Sequence, residues 1–475
     1  MAGTLASKDA GWEPALAELR AFMKTCGTTP FDLVVNLTHT DMSALITSLV
    51  PARKRVGLVS RADRRKGMDS AWMTYLRASV RSRDHACFHL VDLFAWTAGI
   101  GRDAGGLEID ITPGDHAWAE GFLAEHALTG RPFIAMQLGA SAESKQWPPE
   151  RFAALADALD PSLGDIVLVG GPGERALAAA FQAVSRRVVY SSIGESSLRQ
   201  LAALLQRARL LVTNDTGPMH VATAAGTRVV DLSSGPVSAF ETGPYGEGHI
   251  VIEPVMACFP CPLDSECHHF ACRTALTPED AAAVVRYALD AGPAPVLHGA
   301  RVLQARRTGR SGRIEFMPVS GAPALADRVR AVAAGVWEDT LKVPSRVGEG
   351  WPAQVDVETS WPDGDDDGRE ALTEQLLAVA REAERAAGLT ASLLKTAPAK
   401  VQGVANDAHA SLEKLLGMGE STRATHALVT YLRYEIESIA AADLAAMARA
   451  QTVAYTATAA RVRLLADRLG VLTTS

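Results

Sequence analysis

The sequence predicts an α/β chain built on doubly wound parallel sheets and ending in an all-α extension. Three observations carry this prediction. Apolar runs that end in polar, Gly-containing loops alternate with amphipathic helical patterns from residue 31 to about residue 295. That alternation then stops, and from residue 369 only helical spacing remains. The length, 475 residues, suits two to four domains better than one.

The elements follow in order. Residues 12–25 carry a helical pattern that leads into an apolar strand at 31–37 (FDLVVNL). A polar loop, Thr38-His39-Thr40-Asp41, precedes a helix marked by Ala44, Leu45, Leu49 and Val50, and a short strand follows at 56–59. A second set opens with a helix at 117–126. Strand 132–138 (PFIAMQL) runs into Gly139-Ala140-Ser141, and Pro148 and Pro149 suit the start of a helix at 149–159. Strand 166–169 ends in Gly170-Gly171-Pro172-Gly173 and is followed by helix 174–184, a strand at 188–190 and helix 197–206. Strand 210–213 leads through Asn214-Asp215-Thr216-Gly217 into helix 218–225, and strand 229–232 ends at Ser233-Ser234-Gly235-Pro236.

Residues 301–313 (RVLQARRTGRSGR) are basic and read as a linker or exposed turn, and 343–370 are rich in Pro, Gly and Asp, a poor core and a mobile link. Beyond them Leu372, Leu376, Val379 and Ala383, then Leu428, Leu432, Ile436 and Ile439, recur at helical spacing, and 441–469 are rich in Ala and Arg. This tail reads as a helical bundle or hairpin and is expected to be separable. Its apolar stripes must be buried on one another, on the core, on a partner protein or on a second copy. The expected divisions are 1–114, 115–295, 296–368 and 369–475.

Composition narrows the function. Apolar residues at 48% and charged residues at 21% are ordinary for a soluble globular protein, and a net charge of -7 argues against a general nucleic-acid binder. No run of about 18 uncharged apolar residues predicts a membrane span. The N-terminus lacks a basic region followed by an apolar core, so the cytoplasm is the default expectation.

The strongest local signal is LLVTNDTGPMHVATAA at 210–225. An apolar strand ends in a polar loop that opens a helix, whose first N–H groups and positive dipole end suit a diphosphate. Asp215 and Thr216 can cap that helix, Gly217 lets an anion approach the backbone, and His220 falls within the first turn. A capped helix with a buried histidine is the competing reading.

The segment NDTGPMHVATAAG resembles the signature of glycosyltransferase family 9, the ADP-heptose:lipopolysaccharide heptosyltransferases. QLGASAESKQWPPERFAALADAL, IVLVGGPGERALAAAF and IGESSLRQLAALLQRARLLV resemble further segments of that family in the same order, across about residues 31–290. The resemblance implies a GT-B fold of two Rossmann-like halves, the first incomplete here, with the helical tail as an addition. It implies transfer of a sugar, heptose from an ADP-heptose-type donor above all, by an inverting mechanism without a catalytic metal or organic cofactor. The acceptor would be a saccharide, the lipopolysaccharide core or a protein. Lys145 would meet the donor's phosphates or sugar, Ser141 the same diphosphate, Glu174 its ribose or base, and Asp215, Thr216, Gly217 and His220 the pyrophosphate and sugar. Read without the resemblance, Lys145 is a solvated charge at a helix entry and Glu174 a partner of a helix dipole.

The sequence departs from the family at its start. Residues 1–30 hold no apolar strand followed by Gly-Asp, the loop whose Asp the resemblance implicates as general base. Either a preceding segment of a longer protein supplies it or another residue serves. The nearby substitutes are His39 and Asp41, which equally read as part of a helix cap. A nucleotide-sugar binder or scaffold that has lost catalysis is therefore the alternative function. Arg53, Lys54, Arg55, Arg61, Arg64, Arg65 and Lys66 form a basic run against Asp63 alone. It is either a solvated face or a patch for an anionic saccharide, lipid or protein acceptor, with peripheral contact at the inner membrane. Finally, Cys258, Cys261, Cys267 and Cys272 crowd into 15 residues, a spacing that suits a structural zinc or iron before disulfides, with free thiols as the plain alternative.

Overall fold

The computed structural model describes residues 12–341 and 366–471, apart from 62–65, 69, 81–82, 84–85, 102–104, 263–265, 309–311, 322, 397, 422, 438 and 440–442. The expected link at 343–370 thus lies outside the described residues as far as 365, as do Asp63, Arg64 and Arg65 of the basic run.

Among the described residues two open sheets form the α/β part, as the sequence predicts. The first is small: β1 (Phe31–Asn36), β2 (Ala52–Ser60) and β3 (Lys66–Met68) lie in that order, with β1 and β2 parallel and β3 antiparallel to β2. Helix Asp41–Leu49 makes the crossover from β1 to β2. Asn36 pairs with Gly57, which adopts φ +98, and a Cβ on Gly57 would collide with the Asn36 carbonyl oxygen, so only glycine fits there.

The second sheet has eight strands in the order β11-β10-β9-β8-β7-β4-β5-β6. Its parallel core comprises β4 (Phe133–Gln137), β5 (Asp165–Val169), β6 (Val189–Ser191), β7 (Leu210–Thr213), β8 (Val229–Leu232) and β9 (Ile250–Pro254). Strands β5, β7, β8 and β9 are rich in Val, Ile and Leu without polar alternation because both faces are covered, while the edge strand β6 is half-buried. Phe152, Leu155, Phe181 and Val284 cover one face, and Phe122, Leu201, Leu204 and Met219 the other. The chain fills β4, β5 and β6 in one direction and then returns to β7 beside β4, which opens a crevice at the carboxyl ends of β4 and β7.

Residues 301–313 are not the exposed linker that their basic composition suggests. Residues 301–308 and 313 belong to paired strands, β10 (Ala300–Thr308) and β11 (Arg313–Pro318), which extend the second sheet antiparallel to β9. Two of their charges are matched rather than solvated, while Arg306 and Arg307 stay exposed. Arg301 binds Glu253 at 2.7 Å and Asp327 at 2.9 Å, and the buried Arg313 binds Glu338 at 2.7 Å as well as Glu315. Helix Leu325–Leu341 follows, so much of 296–341 is regular structure.

The tail is helical, as expected: Asp366–Leu393, Pro398–Ser421, Arg423–Glu437 and Leu444–Val471. It is not packed as a separate unit. One hydrophobic core joins Trp72, Tyr75, Phe88 and Trp96 of the N-terminal half to Trp337 and to Leu376, Leu415, Tyr431, Leu432 and Leu465. Tyr75 meets Trp337 edge-on with ring centroids 5.0 Å apart, and Trp337 meets Tyr431 at 5.1 Å. Helices Ala71–Ser79 and Leu90–Thr97 of the N-terminal half thus share a core with helices from the far end of the chain. No helix among the described residues is long and apolar enough to cross a membrane.

Candidate functional site

The crevice between β4 and β7 gathers most of the residues singled out from the sequence. Asn214, fully buried just after β7, joins the two loops. Its Oδ1 accepts from Trp147 N at 2.9 Å, and its Nδ2 donates to the carbonyls of Leu138 and Gly139 at 3.0 Å each. That brings Lys145, in the turn Glu143–Lys145, to Asp215, and Lys145 Nζ donates to Asp215 Oδ1 at 2.9 Å. The other Asp215 oxygen accepts from Thr242 Oγ1 at 2.9 Å.

Neither Asp215 nor Thr216 caps helix Gly217–Ala224, contrary to the expectation. Thr216 stands at the N-cap but makes no side-chain cap bond; its hydroxyl lies 3.2 Å from Gln137 Oε1. The helix therefore presents its first N–H groups without a side-chain cap. Gly217, the first residue of that helix, is exposed, and a Cβ there would meet nothing within 4 Å. His220 is half-buried beside the Lys145–Asp215 pair. Burial lowers its pKa below the usual histidine value, against the opposing pull of the Asp215 carboxylate.

Glu174 does not reach outward from its turn as a dipole partner. Gln137 Nε2 donates to both of its oxygens at 3.1 Å, and Gly139 N donates at 3.3 Å. Burial raises its pKa. The carboxylate lies over Gly139 and Gly170; a Cβ on Gly139 would approach its Cδ to 2.6 Å, and one on Gly170 would collide with Oε2. Ser141 is exposed in the loop after β4.

The sequence reading missed several groups here. Asp231, fully buried at the end of β8, has its pKa pushed well above the carboxylate range by burial and then by the Asp215 charge, while Ser233 Oγ donates to it at 2.7 Å. Arg83 reaches the same region from the N-terminal half and binds Glu241 Oε2 at 2.6 Å. Such groups are distant in sequence and carry no motif.

His39 and Asp41 lie at the carboxyl end of β1. Thr40, not Asp41, caps the next helix, its hydroxyl accepting from Ser43 N. Partial burial of the ring and then the charge of Arg77 hold the His39 pKa below its usual value. The basic run is partly committed to structure. Arg53 binds Asp32 at 2.8 Å, and Arg55 donates to the carbonyls of Thr47 and Val50 at the end of helix Asp41–Leu49.

The cysteine segment packs against the Lys145 loop. Cys261 N donates to Gly235 O at 3.2 Å, Ser234 Oγ to Ser144 O at 3.1 Å, and Arg273 binds Glu143 at 2.9 Å. A cavity of about 410 Å³ lies between the two, lined in part by Ser144, Cys261, Cys267 and His268. The expectation of a metal held by Cys258, Cys261, Cys267 and Cys272 is not supported. Cys258 is exposed and Cys272 buried, and among the described residues no group of three or more His, Cys, Asp or Glu converges closely enough to hold an ion. The thiols do feel one another: burial, then the neighbouring Cys272, Cys258 and Cys267, raise the Cys261 pKa.

The chain is similar in sequence to known heptosyltransferases. The chain is 24% identical over 230 residues to the lipopolysaccharide core heptosyltransferase OpsX of Haemophilus influenzae, covering 47% of this chain and 62% of that protein. It is 24% identical over 233 residues to lipopolysaccharide heptosyltransferase 3 of Escherichia coli K12, covering 48% and 66%. The chain thus spans less than two thirds of the length of these curated relatives. A solved glycosyl transferase family 9 structure from Veillonella parvula aligns with a TM-score of 0.46 at 22% identity, covering 59% of this chain and 80% of that one. The model of glycosyltransferase family 9 (heptosyltransferase) matches residues 19–266, more than half of the 475 residues, and the chain belongs to that family.

Proposed function

We propose that this chain is a glycosyltransferase that binds a nucleotide-diphosphate sugar in the crevice between β4 and β7 and transfers the sugar, heptose from an ADP-heptose-type donor, with inversion. The observation that carries the reading is the Lys145–Asp215 pair at the mouth of a helix whose N-terminus has no side-chain cap. The names of the relatives favour heptose and a lipopolysaccharide-core acceptor.

The proposed step is a displacement at the anomeric carbon. The acceptor hydroxyl oxygen bonds to that carbon, the bond from carbon to the diphosphate oxygen breaks, and its electron pair leaves with the nucleotide diphosphate. The helix N–H groups, Lys145 and His220 donate hydrogen bonds to the departing oxygens, so the reading needs no metal. The hydroxyl proton passes to a base. His39, kept neutral by its lowered pKa, and Asp41 are the candidates within the chain. Ser141, Thr216 and Gly217 would line the diphosphate, and Glu174 would order the loop after β4 or accept from the ribose. Exposed members of the basic run would meet an anionic saccharide, lipid or protein acceptor, from the cytoplasmic side of a membrane surface.

Calorimetry of the full chain with ADP and UDP, followed by transfer assays with ADP-heptose and a heptose-deficient core acceptor, tests the reading. Absence of binding to either nucleotide overturns it. Binding without transfer would favour the second reading, a nucleotide-sugar binder without turnover.

A further inference from the structure

We propose that Arg83, contributed by the N-terminal half, is a positioning residue that orients Asp215 in the nucleotide site of the second sheet. This rests on the reading of that crevice as a diphosphate site.

The geometry begins at a short connection. Residues 233–249 join β8 to β9 and contain a single helical turn, Ala239–Thr242. Thr242 is the residue that donates to Asp215 Oδ2, so the placement of this turn fixes one side of the Asp215 carboxylate. A turn of four residues has little intrinsic stability. It is held from outside on two sides: Phe240 packs on Phe316 of β11, and the N-terminal half grips the connection through polar contacts. Arg83 binds Glu241 Oε2 through both Nε and an amino nitrogen at 2.6 Å, and its other amino nitrogen donates to Pro236 O at 2.6 Å. His89 meets Gly243 O at 2.9 Å, and Asp92 accepts from Tyr245 Oη at 2.6 Å. Three side chains of one half thus grip four positions of one connection in the other.

Arg83 differs from the other two because its removal also changes the charge beside the site. Glu241 is 7% exposed, and its other oxygen, Oε1, has no hydrogen-bond partner among the described residues. Burial and then the Arg83 charge act in opposite directions on Glu241, and the Asp215 carboxylate adds to the repulsion. Without the guanidinium, the Glu241 carboxylate would be stranded next to Asp215, and the turn that carries Thr242 would lose its anchor at Pro236. Arg83 thus links the seating of the N-terminal half to the orientation of a nucleotide-site carboxylate. It is not placed on the donor itself.

The test uses the full chain as wild type, R83M, R83K and R83M/E241Q. Histidine titration by NMR without nucleotide reads His220, which senses the Asp215 carboxylate. Calorimetry with ADP reads the site in use. In R83M the expected results are a shift of the His220 titration by about half a pH unit and an ADP affinity about 10-fold weaker. R83K keeps the charge without the fork and should fall between R83M and wild type. R83M/E241Q removes the stranded charge and should regain part of the loss. If R83M does not fold, R83K and the double variant carry the same comparison. A lowered melting temperature with His220 titration and ADP affinity both unchanged overturns the proposal and leaves Arg83 a structural strut. If wild type fails to bind ADP while His220 still responds to Arg83, the nucleotide reading falls and the positioning role stands.

Discussion

Lys145 Nζ and Asp215 Oδ1 lie 2.9 Å apart although 70 residues separate them in the chain. The pair bridges the loop after β4 to the loop after β7 and places a cation, an anion and a helix N-terminus at one point. A diphosphate arriving there gains from the helix and from Lys145, which Asp215 holds in place. Lys145→Ala should therefore weaken ADP binding by about 10- to 100-fold, since it removes a charge-assisted contact and unmasks the carboxylate. Lys145→Ala/Asp215→Ala should bind ADP more tightly than Lys145→Ala alone, a coupling that calorimetry on the double-mutant cycle reads directly. Additive effects would show that the two residues act independently.

The interface between the halves should respond to pH through His89. Its Nδ1 accepts from Val91 N and its Nε2 lies 2.9 Å from Gly243 O, so the neutral ring fits with its proton on Nε2. Burial lowers its pKa to about 4 from the usual 6.5. Below the unfolded value the denatured chain takes up a proton that the native ring refuses. The stability from this site is therefore complete above pH 6.5 and is lost as pH falls toward 4. His89→Gln keeps a donor for Gly243 O without the titration. Urea unfolding at pH 7, 5.5 and 4 should show wild type losing about 3 kcal/mol relative to this variant over the range. Parallel pH dependences would rule out the assignment.

Much of the second sheet was legible because its strands are uninterrupted apolar runs and each ends in a recognisable loop. Asp215 and His220 could be picked out for the same reason, since they belong to a local motif at a strand end, whereas Lys145 was marked only by the family resemblance. What joins them was not legible. Asn214 acts through partners 67 to 76 residues away, and Arg83 through one 158 residues away, so no window of sequence contains the interaction. Arg301 and Arg313 misled because a basic run looks solvated until the matching carboxylates, Glu253, Asp327 and Glu338, fold beside it. The cysteine spacing likewise counts ligands without saying whether they converge. The tail's apolar stripes announced burial, but not that their partner was a helix near residue 75.

That last relationship changes what truncation should do. Ending the chain at residue 341 would uncover Trp72, Tyr75 and Trp337, which pack with Leu376, Tyr431 and Leu465. Each large apolar side chain returned to water forfeits about 1.5–3 kcal/mol, and several are lost together. The shortened chain should therefore aggregate or melt well below the full chain by scanning calorimetry, instead of behaving as a core freed from a separable module. A soluble, cooperatively folded truncate with unchanged ADP affinity would restore the separable reading.

Asn214 offers the sharpest separation between holding the site and touching the ligand. Its amide is fully buried and uses Oδ1 for Trp147 N and both Nδ2 hydrogens for Leu138 O and Gly139 O. Asn214→Ala would leave one donor and two acceptors of the backbone without that partner, at a cost of about 2–4 kcal/mol in unfolding free energy. Asn214→Asp is the more telling change. It preserves shape and the bond from Trp147 N, but a carboxylate cannot donate to the two carbonyls, and it adds a negative charge next to Asp215. The loops after β4 and β7 should then part. Lys145 should lose its place opposite Asp215, and ADP binding should fall about as far as in Lys145→Ala. Calorimetry with ADP, set beside urea unfolding of the same two variants, makes the check. Near-wild-type affinity in Asn214→Asp would mean that the two loops keep their arrangement without this bridge.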